Sequence, residues 1–305
     1  MTSSAPPMPR IAARPRRRHR RMLLPTVALA PFVLFCLAMA AFPFAHVVQM
    51  AFSEVTLTAA GFEFRWTGFE NLVAVFADPL AAQAVINTVV FTILSVVGSL
   101  ICGIIVAILV DRAIALLPLA RNVIIWPAII TPVVVSVIWL LILSPTAGGL
   151  NKVLETIGLP AQNWLNSGAG AMASLVVVDV WHWSPIVFLF VYAALKALDT
   201  EVLEAARVDG ASEGAIVFRI VLPLVMPAIA AVSLIRMVMG IKVFDEMYVL
   251  TAGGPLGATT LVSQRIQLWF FKDLNFGEAA AFGLLIIVAV VLVLTVALVL
   301  RGARR

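Results

Sequence analysis

Long uninterrupted apolar runs dominate the polarity pattern of this chain. A membrane-crossing helix needs about 20 mostly apolar residues, and six stretches meet that requirement, near 22–46, 83–110, 121–143, 171–195, 223–250 and 278–300. Asp, Glu, Lys and Arg are absent from Met22 to Ser53, from Pro79 to Val110, from Asn122 to Asn151 and from Ala279 to Leu300. The fourth stretch carries Asp179 and His182, and the fifth carries Arg236, Lys242, Asp245 and Glu246. The pattern predicts an all-α integral membrane domain of six transmembrane helices over 22–300. Loops 47–82, 144–170 and 251–277 lie on one side, and one substantial loop, 196–222, on the other. Trp126, Pro127, Pro132 and Trp139 in the third stretch read as packing and kink residues.

Composition agrees with the pattern. The 305 residues are 62% hydrophobic and 12% charged, with a mean hydropathy of +1.08, against about 45–50% apolar and 25% charged in a soluble domain. A cytosolic enzyme and a disordered chain are both excluded.

The net charge of +5 suggests nucleic acid only until its placement is read. Arg14, Arg16, Arg17, Arg18, Arg20 and Arg21 precede the first apolar run, with no interleaved aromatics. Arg301, Arg304 and Arg305 follow the last run. Flanking Lys and Arg orient membrane helices, with the basic side cytoplasmic. With both termini cytoplasmic, the external loops hold only Arg65, Lys152, Arg265 and Lys272. Residues 1–21 read as a disordered basic cytoplasmic tail and 301–305 as a short cytoplasmic one. The first run is too long for a signal-peptide core and reads as a retained helix. Cys36 and Cys102 lie inside apolar runs and read as small buried hydrophobes, with no zinc spacing.

The cytoplasmic loop concentrates the acids Asp199, Glu201, Glu204, Asp209 and Glu213. Asp199 or Thr200 is placed to cap a helix whose first turn holds Glu201. Gly210 is placed to end it, and Ser212 to cap a second short helix through Arg219. A solvated connector has the same elements. The paired small residues Ala205 and Ala206, with a glycine turn, suit insertion into another protein's groove equally well.

Glu204-Ala205-Ala206, then Gly210, Ile220 and Leu222-Pro223, resembles the EAA loop of binding-protein-dependent ABC importer permeases (type I importers, MetI-like), with Asp209 inside the motif and the loop spanning about 197–223. Leu250-Thr251-Ala252-Gly253-Gly254-Pro255 with Thr259-Thr260, Gly148-Gly149-Leu150-Asn151, Trp181-His182-Trp183-Ser184-Pro185 and Phe276-Gly277-Glu278-Ala279-Ala280-Ala281 resemble its carbohydrate subclass. Leu198-Asp199 departs from the family's usual Ile-Pro.

The resemblance implies a subunit of the cytoplasmic membrane that pairs with a second homologous permease. It further implies two ABC ATPase subunits that bind ATP and Mg, an extracytoplasmic substrate-binding protein and a sugar substrate. In that reading Glu204 anchors the docking helix, Ala205 and Ala206 fit the ATPase groove and Gly210 makes the turn. No cofactor or metal is expected in this chain. It has no Gly-x-x-x-x-Gly-Lys-Ser/Thr, no metal-ligand cluster and no catalytic constellation.

Ionisable residues within a span mark pathways by default. Asp179, His182 and Trp183 share one helical face at i, i+3 and i+4, and Ser233, Arg236 and Gly240 share another. These six are the candidate substrate path. Lys242, Asp245 and Glu246 read as pairing with each other or with the second permease. Competing readings are a same-architecture importer for glycerol phosphate, polyamine or iron, an ion-coupled secondary transporter, and an integral membrane enzyme.

Overall fold

A computed structural model describes residues 20–59, 61–112 and 117–302. The tail expected over 1–21 lies outside the described residues except for Arg20 and Arg21, which open the first helix, and residues 303–305 also lie outside. The chain forms two compact units, Met1–Gln49 and Met50–Arg305. The first contains most of helix α1 (Arg20–Ala51), whose Ala28–Ala51 stretch is long and apolar enough to cross a membrane.

The second unit opens with an antiparallel hairpin, β1 (Ser53–Thr58) and β2 (Gly61–Trp66), in which Glu54 opposes and ion-pairs with Arg65. Helix α2 (Glu70–Ala77) follows, then the long α3 (Pro79–Arg112). Asp78 caps α3, accepting from the backbone N–H groups of Leu80 and Ala81 at 3.0 and 3.2 Å. At 34 residues and ~1.5 Å rise per residue, α3 is about 51 Å long, longer than a hydrocarbon core of ~30 Å.

The chain continues through α4 (Leu117–Ile129), α5 (Pro132–Ile142), α6 (Gly149–Thr156) and α7 (Gly168–Lys196). It then forms α8 (Thr200–Val208), α9 (Glu213–Ile216), a π-turn (Val217–Val221) and α10 (Leu222–Ile241). Helices α11 (Asp245–Leu250), α12 (Val262–Phe271) and α13 (Phe276–Gly302) complete it. Among the described residues, five helices are long and apolar enough to span a membrane, or six if one bent pair is counted as a span.

Three expectations need correction. The run 121–143 is not one straight helix, since Asn122–Ile129 and Pro132–Ile142 meet at 104°. Pro132 opens α5 where its missing N–H is harmless, and it biases Thr131 to extended backbone (ψ 145). The fifth span does not run to 250. It ends at Ile241 and resumes as α11, putting Lys242 in the break and Asp245 and Glu246 in a separate helix. It also begins earlier: α9, the π-turn and α10 run continuously from Glu213 to Ile241, so no separate short helix ends at Arg219. The loops 47–82, 144–170 and 251–277 hold the hairpin, α2, α6 and α12, short elements that fall below the length at which hydropathy reads clearly.

The core of the second unit lies where α3, α7 and α10 pack. A stripe on α3, Thr88, Thr92, Ser95, Ser99 and Gly103, supplies small residues that let the helices approach. One apolar cluster, including Ala107, Val110, Val187, Phe188, Val191, Leu195, Ile216 and Val221, lies toward the end of α3 that meets α8. Another, including Phe91, Val135, Leu143, Leu175, Val178 and Met247, lies toward the opposite end. Of the sequence-read packing residues, Trp139 stands edge-on to Trp181 at 5.7 Å, whereas Trp126 is exposed.

Candidate functional site

Two constructions stand out, one at the end of the bundle and one inside it. At the end, Asp199 caps α8, its carboxylate accepting from the Glu201 N–H at 3.0 Å. The helix closes with two backbone bonds, Ala211 N–H to the Ala206 carbonyl and Gly210 N–H to the Arg207 carbonyl, both 3.0 Å. This is a Schellman closure, and it requires the left-handed backbone that Gly210 adopts at φ 79°. Ser212 then caps α9, accepting from Ala215 N–H at 3.3 Å.

Glu213 ties the pieces together. Its carboxylate meets Arg207 of α8 at 2.9 Å and Arg112 at the end of α3 at 3.1 Å. The bond to Glu213 raises the Arg207 pKa above its ordinary value. Lys196 at the end of α7 pairs with Asp111 at 2.7 Å. Exposed pairs of this kind each contribute little stability, but together they link α8 to α9, α9 to the end of α3 and the end of α3 to α7.

Leu203, Ala206, Ala211 and Leu222 pack on the bundle's apolar cluster. Ala206 therefore faces the bundle rather than an outside groove. Glu201, Val202, Glu204, Ala205, Val208 and Asp209 are exposed, Val208 at 87%. Ile220 sits half-buried in the π-turn and Pro223 is exposed in the first turn of α10.

Inside the bundle, the face read from spacing is assembled. Arg236 of α10 and Asp179 of α7 form an ion pair with both side chains at 2% exposure or less. Arg236 Nε donates to Ser99 Oγ of α3 at 3.2 Å, and Ser99 donates to the Ser95 carbonyl at 2.7 Å. Arg236 Nη1 and Thr92 Oγ1 are buried without a hydrogen-bond partner among the described residues.

His182 forms the second half of the network. Its Nδ1 stands 2.5 Å from Glu246 Oε1 and its Nε2 stands 3.0 Å from the Ile130 carbonyl. The indole N–H of Trp183 donates to the same Glu246 oxygen at 3.0 Å. A carbonyl only accepts, so the contact with Ile130 is made by an Nε2–H. One imidazole on the continuous α7 thus holds both interruptions, the α4–α5 bend at Ile130 and the α11 start at Glu246.

Of the candidate path residues, Asp179, His182, Trp183 and Arg236 come together. Gly240 packs against Thr92 on the same buried face. Ser233 does not join them. Its hydroxyl donates to its own helix at Ile229 O, 2.6 Å away, and it lines an apolar groove between α3, α10 and α13. Glu246 is the functional candidate that the sequence reading missed. It pairs with His182, not with Lys242 or Asp245, which are exposed. Its signal was its position just after the break, where a buried carboxylate needs a partner from another helix.

A polytopic helical bundle with a broken helix pair, a buried ionic centre and a capped helix at one end is the fold of a type I importer permease, a multi-pass membrane transport subunit. The chain belongs to the family of binding-protein-dependent transport system inner membrane components, whose pattern covers residues 99–305. It is 31% identical to the sulfoquinovosyl glycerol transport system permease protein SmoG of Agrobacterium fabrum, over 85% of this chain and 84% of that protein. It is 29% identical to the sn-glycerol-3-phosphate transport system permease protein UgpA of Brucella abortus, over 90% of this chain and 92% of that protein. Its fold matches a permease chain in the crystal structure of a bacterial alginate ABC transporter in complex with an alginate pentasaccharide-bound periplasmic protein. That match has a TM-score of 0.78 at 22% identity, over 91% of this chain and 93% of that one.

Proposed function

We propose that this chain is the membrane-spanning half-channel of an ATP-driven importer for a sugar or sugar-like solute in the cytoplasmic membrane. It works beside a second homologous permease, two ABC ATPases that bind ATP and Mg, and an extracytoplasmic binding protein. The observation that carries the reading is α8. Its inner face, Leu203 and Ala206, is fixed to the bundle, while Glu204, Ala205 and Val208 face outward. That is the arrangement needed to receive force from a docked protein.

The geometry supplies a route for that force. A push on α8 passes through the Gly210 turn and the Glu213 ion pairs into the continuous helix Glu213–Ile241. At 29 residues and ~1.5 Å per residue this helix is about 43 Å long, and it carries Arg236 and Gly240 in its second half. The π-turn near its base is a weak point in the i→i−4 ladder, suited to absorb a change of angle. Two arrangements of α10 against α7 then present the buried centre to opposite sides, and ATP binding biases one of them.

The solute class follows from the centre and from the relatives. A neutral polyol needs hydrogen-bonding groups and an apolar ring face; Arg236 Nη1 and Thr92 Oγ1, without a partner among the described residues, offer the first, and Trp183 on the same face of α7 as Asp179 offers the second. The relatives' names support a sugar derivative and also a glycerol phosphate. Asp179 already neutralises Arg236, which favours the uncharged part of the solute at this depth.

The test is replacement of Glu204 and Gly210 together, followed by co-purification with the ATPases and by uptake. Both are expected to be lost while the permease pair still assembles. Unchanged co-purification and uptake would refute docking through α8.

A further inference from the structure

We propose that the cleft between the 251–260 loop and α12 is a binding subsite for a polyhydroxylated solute bearing an anionic group, at the end of the bundle away from α8. The inference rests on the permease reading and adds a second place where solute is held. The cleft has a volume of about 350 Å³, and its walls include Tyr248, Gly253, Thr260, Gln264, Gln267 and Lys272. That volume lies within the ~300–1,000 Å³ typical of small-molecule sites.

Gln264 is 4% exposed, and the side-chain oxygens of Gln264 and Gln267 are buried without a partner among the described residues. A buried acceptor left unpaired is costly, and hydroxyl donors relieve it. The Gln264 oxygen abuts Gly253, whose φ is +82°, so a side chain at 253 would be strained and would collide with the amide. The Tyr248 ring, 45% exposed and stacked on Phe244 at 5.2 Å, offers an apolar face to sugar C–H groups. Exposed Lys272 brings a cation to the rim.

The cleft is also rigid. Asn87 Nδ2 on α3 donates to the carbonyls of Gly257 and Thr260, both at 3.0 Å, and Thr88 Oγ1 accepts from Val262 N–H at 2.9 Å. These contacts lie near the start of α3, whereas its far end pairs through Arg112 with Glu213 of α9, which in turn pairs with Arg207 of α8.

The assembled importer in lipid nanodiscs, without ATP, is titrated with glucuronate and with glucose at millimolar concentration and read by saturation-transfer NMR. Both sugars are expected to receive saturation, glucuronate more strongly. Gln264→Leu and Gln267→Leu each weaken binding about fivefold, the size of one lost hydrogen bond. Lys272→Ala reduces glucuronate to the level of glucose. Tyr248→Ala and Gln267→Leu carry the test if Gln264→Leu fails to assemble. Absence of transfer from both sugars, or transfer undiminished in the glutamine and tyrosine variants, overturns the site and leaves water as the partner of the two oxygens. Equal effects of Lys272→Ala on both sugars overturn the anionic preference. Because no ATP is used, failure here is distinct from failure of ATP-driven uptake.

Discussion

The Asp179–Arg236 pair separates a structural role from a transport role. Each side chain is at least 98% buried. Removing one partner leaves the other charge alone in the bundle, a loss of about 3–5 kcal/mol. At ~2–4 °C per kcal/mol for a chain of this size, Asp179→Leu or Arg236→Met alone lowers the midpoint of thermal unfolding by about 6–20 °C. The double variant removes both charges and both desolvation penalties, so its stability returns to within about 1–2 kcal/mol of the parent.

Transport behaves differently if the centre handles solute. The double variant folds and assembles but lacks the guanidinium whose Nη1 has no partner among the described residues. ATP-driven uptake in proteoliposomes is then expected to fall at least tenfold, the effect of losing about 1.4 kcal/mol of solute stabilisation. If the double variant recovers both stability and uptake, the pair is only a bundle fastener and the path assignment is wrong.

Three further outcomes follow from the same structure. Leu203→Ala loses packing on the inner face of α8 and is expected to cost about 2 kcal/mol or more of stability. Val208→Asp, on the 87% exposed outer face, leaves stability within about 0.5 kcal/mol but abolishes co-purification of the ATPases. His182→Ala strands Glu246 and frees the Ile130 carbonyl, so hydrogen exchange in α11 and at the α4–α5 bend is expected to rise together, whereas independent changes would show that His182 does not join them.

Spans, loop caps and the shared faces of Asp179, His182, Trp183 and Arg236 were legible because they follow local rules: run length, helical period, cap chemistry. The break at Lys242 was hidden because Val243 and Phe244 are as apolar as the helix before them. Ser233 looked equivalent to Arg236 by spacing, yet a hydroxyl satisfies itself on the preceding turn and a guanidinium does not. Glu246 was hidden for a tertiary reason. Its partner lies 64 residues away on α7, and sequence neighbours Lys242 and Asp245 offered a simpler pairing. Ala206 was assigned outward because the Ala-Ala pair was read as a unit. On a helix, adjacent positions point about 100° apart, so one faces the bundle when the other does not.

The central claim is that ATP, through a partner docked on α8, drives solute through this bundle. The most direct measurement is uptake by proteoliposomes holding the complete importer and its binding protein, with ATP inside and ion gradients collapsed by ionophore. Uptake that persists under ionophore, stops without ATP and stops with Val208→Asp is the predicted result. Uptake driven by an imposed ion gradient in the absence of ATP would contradict it.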